Sequence, residues 1–234
     1  MTVRHDGLSV DWLGYATVRI AGEDAVVYLD PGRYGVLDDY EARDGDLVCV
    51  THDHHYDSDG IERVAAPDAT VLVYEDVTPE AIDRDVAPVE DLPYDVDVVG
   101  EGASRSFGDL GVEVETYPAY NHEDGPHTDG SGCPYHPRGF GCGYRVTVDG
   151  VPAFWPGDSD VLDRHEEVDA SLFLPPIGGS FTMDRREAAD LAARLDPDLT
   201  LPVHYDTFEA LETDSGAFAA DVAARGVPVV LDEG

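Results

Sequence analysis

Apolar, β-branched runs in this chain repeatedly stop at a histidine or an acid. "LVCVT" runs into His52 and His54, "VEVETYPAY" into Asn121 and His122, "PAFWPG" into Asp158, and "LTLPV" into His204. Runs of this kind read as buried strands. If they are neighbours in parallel sheets, their C-terminal ends converge on one rim, where ligands commonly bind. Each piece alone has a bland explanation. In so acidic a chain Asp158 reads as a turn residue, His204 as a hydrogen-bonded core histidine, and "THDHHYDSDG" as a solvated loop. Four strand ends that each carry a potential ligand are hard to produce by accident. Imidazole and carboxylate together suit zinc, iron or manganese, and a bridging carboxylate suits a two-metal site.

The remaining pattern supplies a frame for that rim. "LSVDWLG", "ATVRIAG" and "AVVYLD" read as short strands separated by turn chemistry. "DGIERVAA" reads as a helix, "TVLVY" as a strand, and "TPEAIDR" as the start of a helix capped by Thr78 with Pro79 at its first position. "CGYRVTVDGVPAFWPG" is a hairpin turning at Asp149-Gly150. "DRREAADLAARL" is the clearest helix, with Asp184 and Glu187 in capping-box spacing and Ala188, Leu191, Ala192 and Leu195 on one face. "ASLFLPP" and "LTLPVH" read as buried strands around it, and a last helix near Phe218 to Ala224 precedes a last strand, "VPVVL". Two similar halves of this kind predict sheets packed together with helices outside. No linker interrupts the 234 residues, so 1–234 is read as one domain without a fixed-period repeat.

Composition limits the setting. There are 50 Asp and Glu against 14 basic residues, all of them Arg, for a net charge of −36. Self-repulsion of that size destabilises a compact state in dilute buffer and is largely screened at about 1 M salt, where the Debye length is ~3 Å. The acids are spread over the whole chain, which is read as adaptation to a salt-rich cytoplasm, as in extreme halophiles. Nucleic acid is disfavoured as a partner, since it calls for a basic groove. No apolar run reaches the ~18–20 residues of a membrane span, and the N-terminus lacks a signal peptide's apolar core, so a cytoplasmic location is expected. Three cysteines, Cys49, Cys133 and Cys142, do not make a disulfide scaffold.

"THDHHYDSDG", "YPAYNH", "HPRGFGCGYRV", "PAFWPGDSDV", "LFLPPIGGSFTMDRREAADL" and "LPVHYDTF" together resemble, in order, the metallo-β-lactamase superfamily. The likeness is nearest to its ascorbate-phosphate-lactonase-like metal-dependent hydrolases and covers nearly the whole chain. It implies an α+β fold, a four-layer αββα sandwich, with one or two divalent ions at the rim, zinc or manganese foremost and iron as an alternative. The family motif His-x-His-x-Asp-His supplies His52 and His54. Without a gap it then places Tyr56 where Asp belongs and Asp57 where the last His belongs. With His55 as an insertion, Asp57 takes the Asp position and Ser58 stands in place of the last His. In both registers the second site loses its usual imidazole, and Asp57 is the expected substitute ligand ahead of His55. The remaining histidine of the first site is His136, in "YHPRGFG", in preference to His122. Asp158 matches the bridging carboxylate, His204 the C-terminal ligand, and Asp30, in "YLDPG", a supporting position.

The resemblance implies a hydrolase. A bound ion lowers the pKa of its water to about 7, and Asp57 and Asp158 would orient the resulting nucleophile or take its proton. The substrate is expected to be a small ester, lactone or phosphoester, and an anion, because the metal and Arg138, in the loop expected to cover the rim, would supply positive charge. Two rivals stand beside it: a mononuclear iron oxidoreductase of the same fold, and a metal-stabilised binding domain without activity. No feature specifies the oligomeric state.

Overall fold

The computed structural model describes residues 1–233. Short apolar runs broken by turn residues build an antiparallel meander of β1 (Val3–His5), β2 (Leu8–Gly14), β3 (Thr17–Ala21) and β4 (Val26–Leu29). The sheet continues in parallel through β5 (Gly45–Val50), β6 (Ala65–Tyr74) and β7 (Asp95–Val99). Helix α1 (Ser58–Val64) makes the crossover between β5 and β6.

The second sheet has strand order β13-β12-β11-β10-β9-β8. Its members are β8 (Ser104–Phe107), β9 (Val112–Ala119), β10 (Gly141–Val148), β11 (Val151–Trp155), β12 (Leu172–Phe173) and β13 (Leu199–Thr200). Strands β8 to β11 are antiparallel neighbours, whereas β11, β12 and β13 run parallel. Helix α2 (Arg185–Leu195) connects β12 to β13, and α3 (Ser215–Ala224) follows. The α2 capping box is formed: the Asp184 carboxylate accepts from Arg186 N and Glu187 N, while Asp184 N donates to Glu187. Such a cap contributes about 1 kcal/mol.

Alternation along the strands gives each sheet two apolar faces. The inner faces meet through Leu8, Val10, Val18, Leu29, Val146 and Trp155, all buried. On the outer face of the first sheet, Ile61 and Val64 of α1 pack with Tyr28, Val48 and Val71. On the outer face of the second, Leu191 of α2 and Phe218 of α3 pack with Phe154 and Phe173. The layers are therefore α, β, β, α, the expected sandwich.

The topology also sends several strand ends to one edge. Strand β9 is antiparallel to β10, which is antiparallel to β11, so β9, β11, β12 and β13 share a direction. Strands β4 and β5 are parallel in the facing sheet. The side chains that follow β4, β5, β9, β11 and β13 can thus gather.

Some local expectations need correction. The helix expected from Thr78 is only a 3-10 turn, Pro79–Ala81, and Thr78 Oγ1 donates to Asp76 O instead of capping it. The helix expected through residue 66 stops at Val64, because Ala65 already pairs with Gly45 as β6 begins. "VPVVL" contributes a single bridge, Thr200 to Val229. Strands β1, β7 and β8 were not expected; β7, "DVDVV", alternates acid with valine and so lacks a buried strand's composition. The Asp149-Gly150 hairpin is as expected, with φ of 51° and 80° and Val148 opposite Val151. No helix among the described residues is long and apolar enough to cross a membrane.

Candidate metal centre

At the edge where those strands end, Asp158 follows β11 and is buried. Its two carboxylate oxygens face different histidines. Oδ2 lies 3.4 Å from His136 Nε2 and 3.7 Å from His52 Nε2. Oδ1 lies 3.3 Å from His204 Nε2 and 3.5 Å from His55 Nε2. His54, exposed at the mouth, brings Nδ1 to 3.1 Å from His136 Nε2. Ligand atoms of His52, His54 and His136 form one group within 4.8 Å of one another, and those of His52, His55 and Asp158 form a second.

The ring orientations are set from behind. Asp30, buried after β4, accepts from Thr51 N at 2.8 Å, from Thr51 Oγ1 at 2.8 Å and from Trp155 Nε1 at 2.8 Å. It also accepts from His55 Nδ1 at 2.9 Å, which leaves the lone pair of His55 on Nε2. The Thr51 hydroxyl donates its one O–H to Asp30, so its oxygen accepts from His52 Nδ1 at 2.8 Å. His136 is held by Asn121, whose Oδ1 accepts from His136 N at 2.9 Å and from its Nδ1 at 3.2 Å. Asn121 is fixed in turn by donating Nδ2–H to Asp160 Oδ1 at 3.0 Å and to Phe181 O at 2.9 Å. In three imidazoles, then, Nδ1 is committed to the scaffold and Nε2 points at the centre.

Apart from His136 Nε2, which faces His54 Nδ1, these inward atoms have no partner. His52 Nε2, His55 Nε2, Asp158 Oδ1 and both ring nitrogens of His204 are buried without a hydrogen-bond partner. Leaving such groups unmatched costs about 1–3 kcal/mol each. Burial pushes His52 and His55 well below the ordinary histidine value, His136 to about 3 and His204 to about 4. All four are neutral near pH 7, the form that ligates. Burial, reinforced by the neighbouring Asp30 charge, pushes Asp158 well above the ordinary carboxylate value. A cation at this point would reverse that penalty. Two donors bound tetrahedrally at about 2.0–2.1 Å are roughly 3.3–3.4 Å apart, close to the 3.3–3.7 Å separations around Asp158. The residues present fit a divalent metal.

Backbone strain concentrates here too. Tyr15, Asp30, Arg33, Tyr34 and His204 all have φ between 43° and 63°. Side-chain-bearing residues seldom adopt this left-handed region, and such residues cluster at functional sites. His204 is fixed there by its N–H, which donates to Tyr15 O at 2.8 Å, and by the Tyr15 ring 4.5 Å from its own.

The positions expected from the sequence are thus divided. His52, His54, His136, Asp158 and His204 are brought together, with Asp30 behind them. Asp57 is not with them. Its side chain is the N-cap of α1, with Oδ1 accepting from Gly60 N at 3.0 Å and Oδ2 from Arg33 N at 2.7 Å. Gly60 permits this close approach, since a Cβ there would lie 2.4 Å from Pro31 O. His55 enters instead: the turn at Asp53–His55 swings its ring under Asp158, supplying an imidazole that neither register of the family motif provided. His122 is exposed and donates from Nε2 to Val161 O at 3.2 Å, outside the cluster. Arg138 is also outside; it pairs with Glu101 at 3.8 Å and lies over the Tyr120 ring. Cys49, Cys133 and Cys142 are free thiols, and none joins a ligand group.

A cavity of about 310 Å³ opens onto the centre, lined in part by Tyr15, Arg33, Tyr34, Phe181 and Phe208. Sequence reasoning missed Arg33 and these aromatic walls. The signal available was "DPGRYG", a glycine-punctuated turn beside Asp30.

A two-sheet sandwich with histidines and a carboxylate at one rim defines a class, and the model of the beta-lactamase superfamily domain matches residues 9–204. A UPF0173 metal-dependent hydrolase of Methanosphaerula palustris is 30% identical over 90% of this chain and 89% of its own. One from Thermococcus kodakarensis is 28% identical over 97% of both chains. The chain belongs to the beta-lactamase superfamily, among the UPF0173 metal-dependent hydrolases. Solved structures support the fold. A protein of Parabacteroides distasonis superposes with a TM-score of 0.75 at 20% identity, covering 99% of this chain and 96% of that one. CmlA, a diiron β-hydroxylase from Streptomyces venezuelae, gives 0.64 at 17% identity, covering 97% of this chain and 53% of its own.

Proposed function

We propose that this metal-dependent hydrolase, whose His52, His54, His55, His136, Asp158 and His204 would hold two divalent ions, cleaves a small ester, lactone or phosphoester. The observation that carries the reading is the division of Asp158, with Oδ2 toward His52 and His136 and Oδ1 toward His55 and His204. His52, His54 and His136 would hold one ion, and His55 and His204 the other. Bound divalent ions supply Lewis acidity and lower the pKa of water, the source of a nucleophile at neutral pH. Nitrogen donors with one carboxylate favour zinc, with manganese and iron compatible.

The chain's own residues contribute position and environment. Asp158 is the one carboxylate facing both halves, so it is the residue assigned to orient the nucleophile and accept its proton. The Asp30 network holds His52 and His55 in one tautomer, so reorganisation at the moment of reaction is small. Tyr15, Tyr34, Phe181 and Phe208 form an apolar wall that limits water around the scissile bond. Residues 1–234 act as one domain in this reading, in a salt-rich cytoplasm that the −36 charge favours. The likeness to ascorbate-phosphate lactonases supports the ester and phosphoester range.

The test is metal analysis of protein purified in high salt, coupled to a panel of lactones, phosphodiesters and phosphorylated sugars. Hydrolysis abolished by chelation and restored by zinc or manganese supports the proposal. Oxygen uptake without hydrolysis would favour an iron oxidoreductase, and neither activity a binding domain.

A further inference from the structure

In a chain with so few cations, most arginines are spent on ion pairs with carboxylates. Two at the rim of the metal centre are not. Neither the Arg33 nor the Arg84 guanidinium forms an ion pair with a carboxylate among the described residues, although Asp53 and Asp83 line the same cavity. Each guanidinium spends an N–H on a backbone carbonyl of the loop that carries His54. Arg33 Nη1 donates to His54 O, and Arg84 Nη2 donates to Asp53 O at 2.9 Å. Neighbouring carboxylates are engaged by backbone: Asp53 Oδ1 accepts from Thr78 N at 2.6 Å, and Asp57 caps α1 while its Oδ2 accepts from Arg33 N at 2.7 Å. Two like charges are thereby held on either side of His54 with donors to spare.

The two cavities at this rim share Arg33 and His54. One is the aromatic-walled cavity over Asp158, His136 and His204. The other, about 510 Å³, lies beside it and is lined by Arg33, His54, Ile82, Arg84 and Phe140, among others. Arg33 also lies over the Tyr34 ring, 4.5 Å from its centroid, which fixes the side chain between them. Burial and the proximity of Arg33 lower the pKa of Arg84, against an opposing pull from Asp57.

We propose that Arg33 and Arg84 form an oxyanion clamp that selects substrates carrying a carboxylate or phosphate at a distance from the scissile bond. The apolar or aromatic part of the substrate lies against Tyr34 and Phe208, its reactive group lies over Asp158, and its anionic end reaches past His54 to the arginines. This deepens the hydrolase proposal and rests on it for the position of the scissile bond. A fork of planar donors matches an oxyanion bidentately, which a lone exposed arginine such as Arg138 does not provide as rigidly.

The experiment measures equilibrium binding of benzoate, phenylphosphonate and neutral benzamide to the metal-loaded protein, with no turnover required. Arg33→Met and Arg84→Met are compared with Arg33→Lys and Arg84→Lys, which keep the charge. The clamp predicts that each Met variant weakens both oxyanions about tenfold or more, while benzamide affinity and bound-metal content stay as in the parent. The Lys variants, which guard against a folding defect, should bind the oxyanions better than the Met variants but below the parent, since an ammonium keeps the charge without the two-pronged donor. The relative loss for benzoate and for phenylphosphonate shows which anion the clamp suits. Equal weakening of benzamide, or undiminished oxyanion binding in both Met variants, would overturn the proposal. Loss of bound metal in a folded Met variant would also overturn it, by making the arginines supports of the His54 loop. Because binding is read without turnover, failure of the hydrolase proposal would appear separately, as an absence of hydrolysis by a protein that still binds oxyanions.

Discussion

Asp30 stands directly behind His55: its Oδ2 accepts from His55 Nδ1 at 2.9 Å, and the opposite ring nitrogen lies 3.5 Å from Asp158 Oδ1. A buried carboxylate therefore determines which nitrogen of His55 faces the centre. Burial raises the pKa of Asp30 to about 6, against the lowering effect of its hydrogen bonds from Thr51 and Trp155.

This relationship separates His55 from Asp57. His55→Ala should lower metal content by removing a donor from the Oδ1 side of Asp158. Asp57→Ala should retain metal and instead lose about 1 kcal/mol of stability, the typical value of a helix N-cap. Elemental analysis and thermal unfolding of both variants in high salt check the pair. Metal loss in Asp57→Ala with metal retained in His55→Ala would restore the opposite assignment.

Asn121 offers a test of orientation without touching a donor atom. Asn121→Ala removes the acceptor shared by His136 N and Nδ1 and frees the ring to rotate. Metal affinity should fall about 10–100-fold, the usual effect of losing a partner that orients a ligand. Competition against a chelator of known affinity measures it. An unchanged affinity would mean that packing alone holds His136.

Much of this arrangement was legible in the sequence because strand periodicity and turn chemistry are local. The strand-end pattern located His52, Asp158 and His204, and Asp149-Gly150 announced its hairpin. His55 was legible only as an alternative ranked behind Asp57, because its ring direction depends on a three-residue turn and on an Asp30 side chain from another strand. Asp57 misled for a related reason: aspartate serves equally as ligand and as N-cap, and only the start of α1 at Ser58 decides between them. Arg138 and Arg33 differ by whether a carboxylate lies within reach, which is a tertiary fact. Strand β7 was hidden by its acidic alternation.

Charge governs the conditions of every such measurement. With a net charge of −36, structure should be lost as salt falls from about 1 M to ~0.1 M, where the screening length grows from ~3 to ~10 Å. Circular dichroism of the chelated protein across that range should show a cooperative loss. An unchanged fold in dilute buffer would show that core packing outweighs the repulsion.

The central claim is that one carboxylate joins two metal positions, and counting ions tests it most directly. Elemental analysis of the folded, metal-saturated protein, after removal of loosely bound ions, should give two equivalents per chain. Asp158→Ala, folded by circular dichroism, should retain less than one, because both positions lose a shared oxygen donor. Two ions retained by Asp158→Ala, or a single ion in the parent protein that His55→Ala and His204→Ala leave in place, would contradict the account.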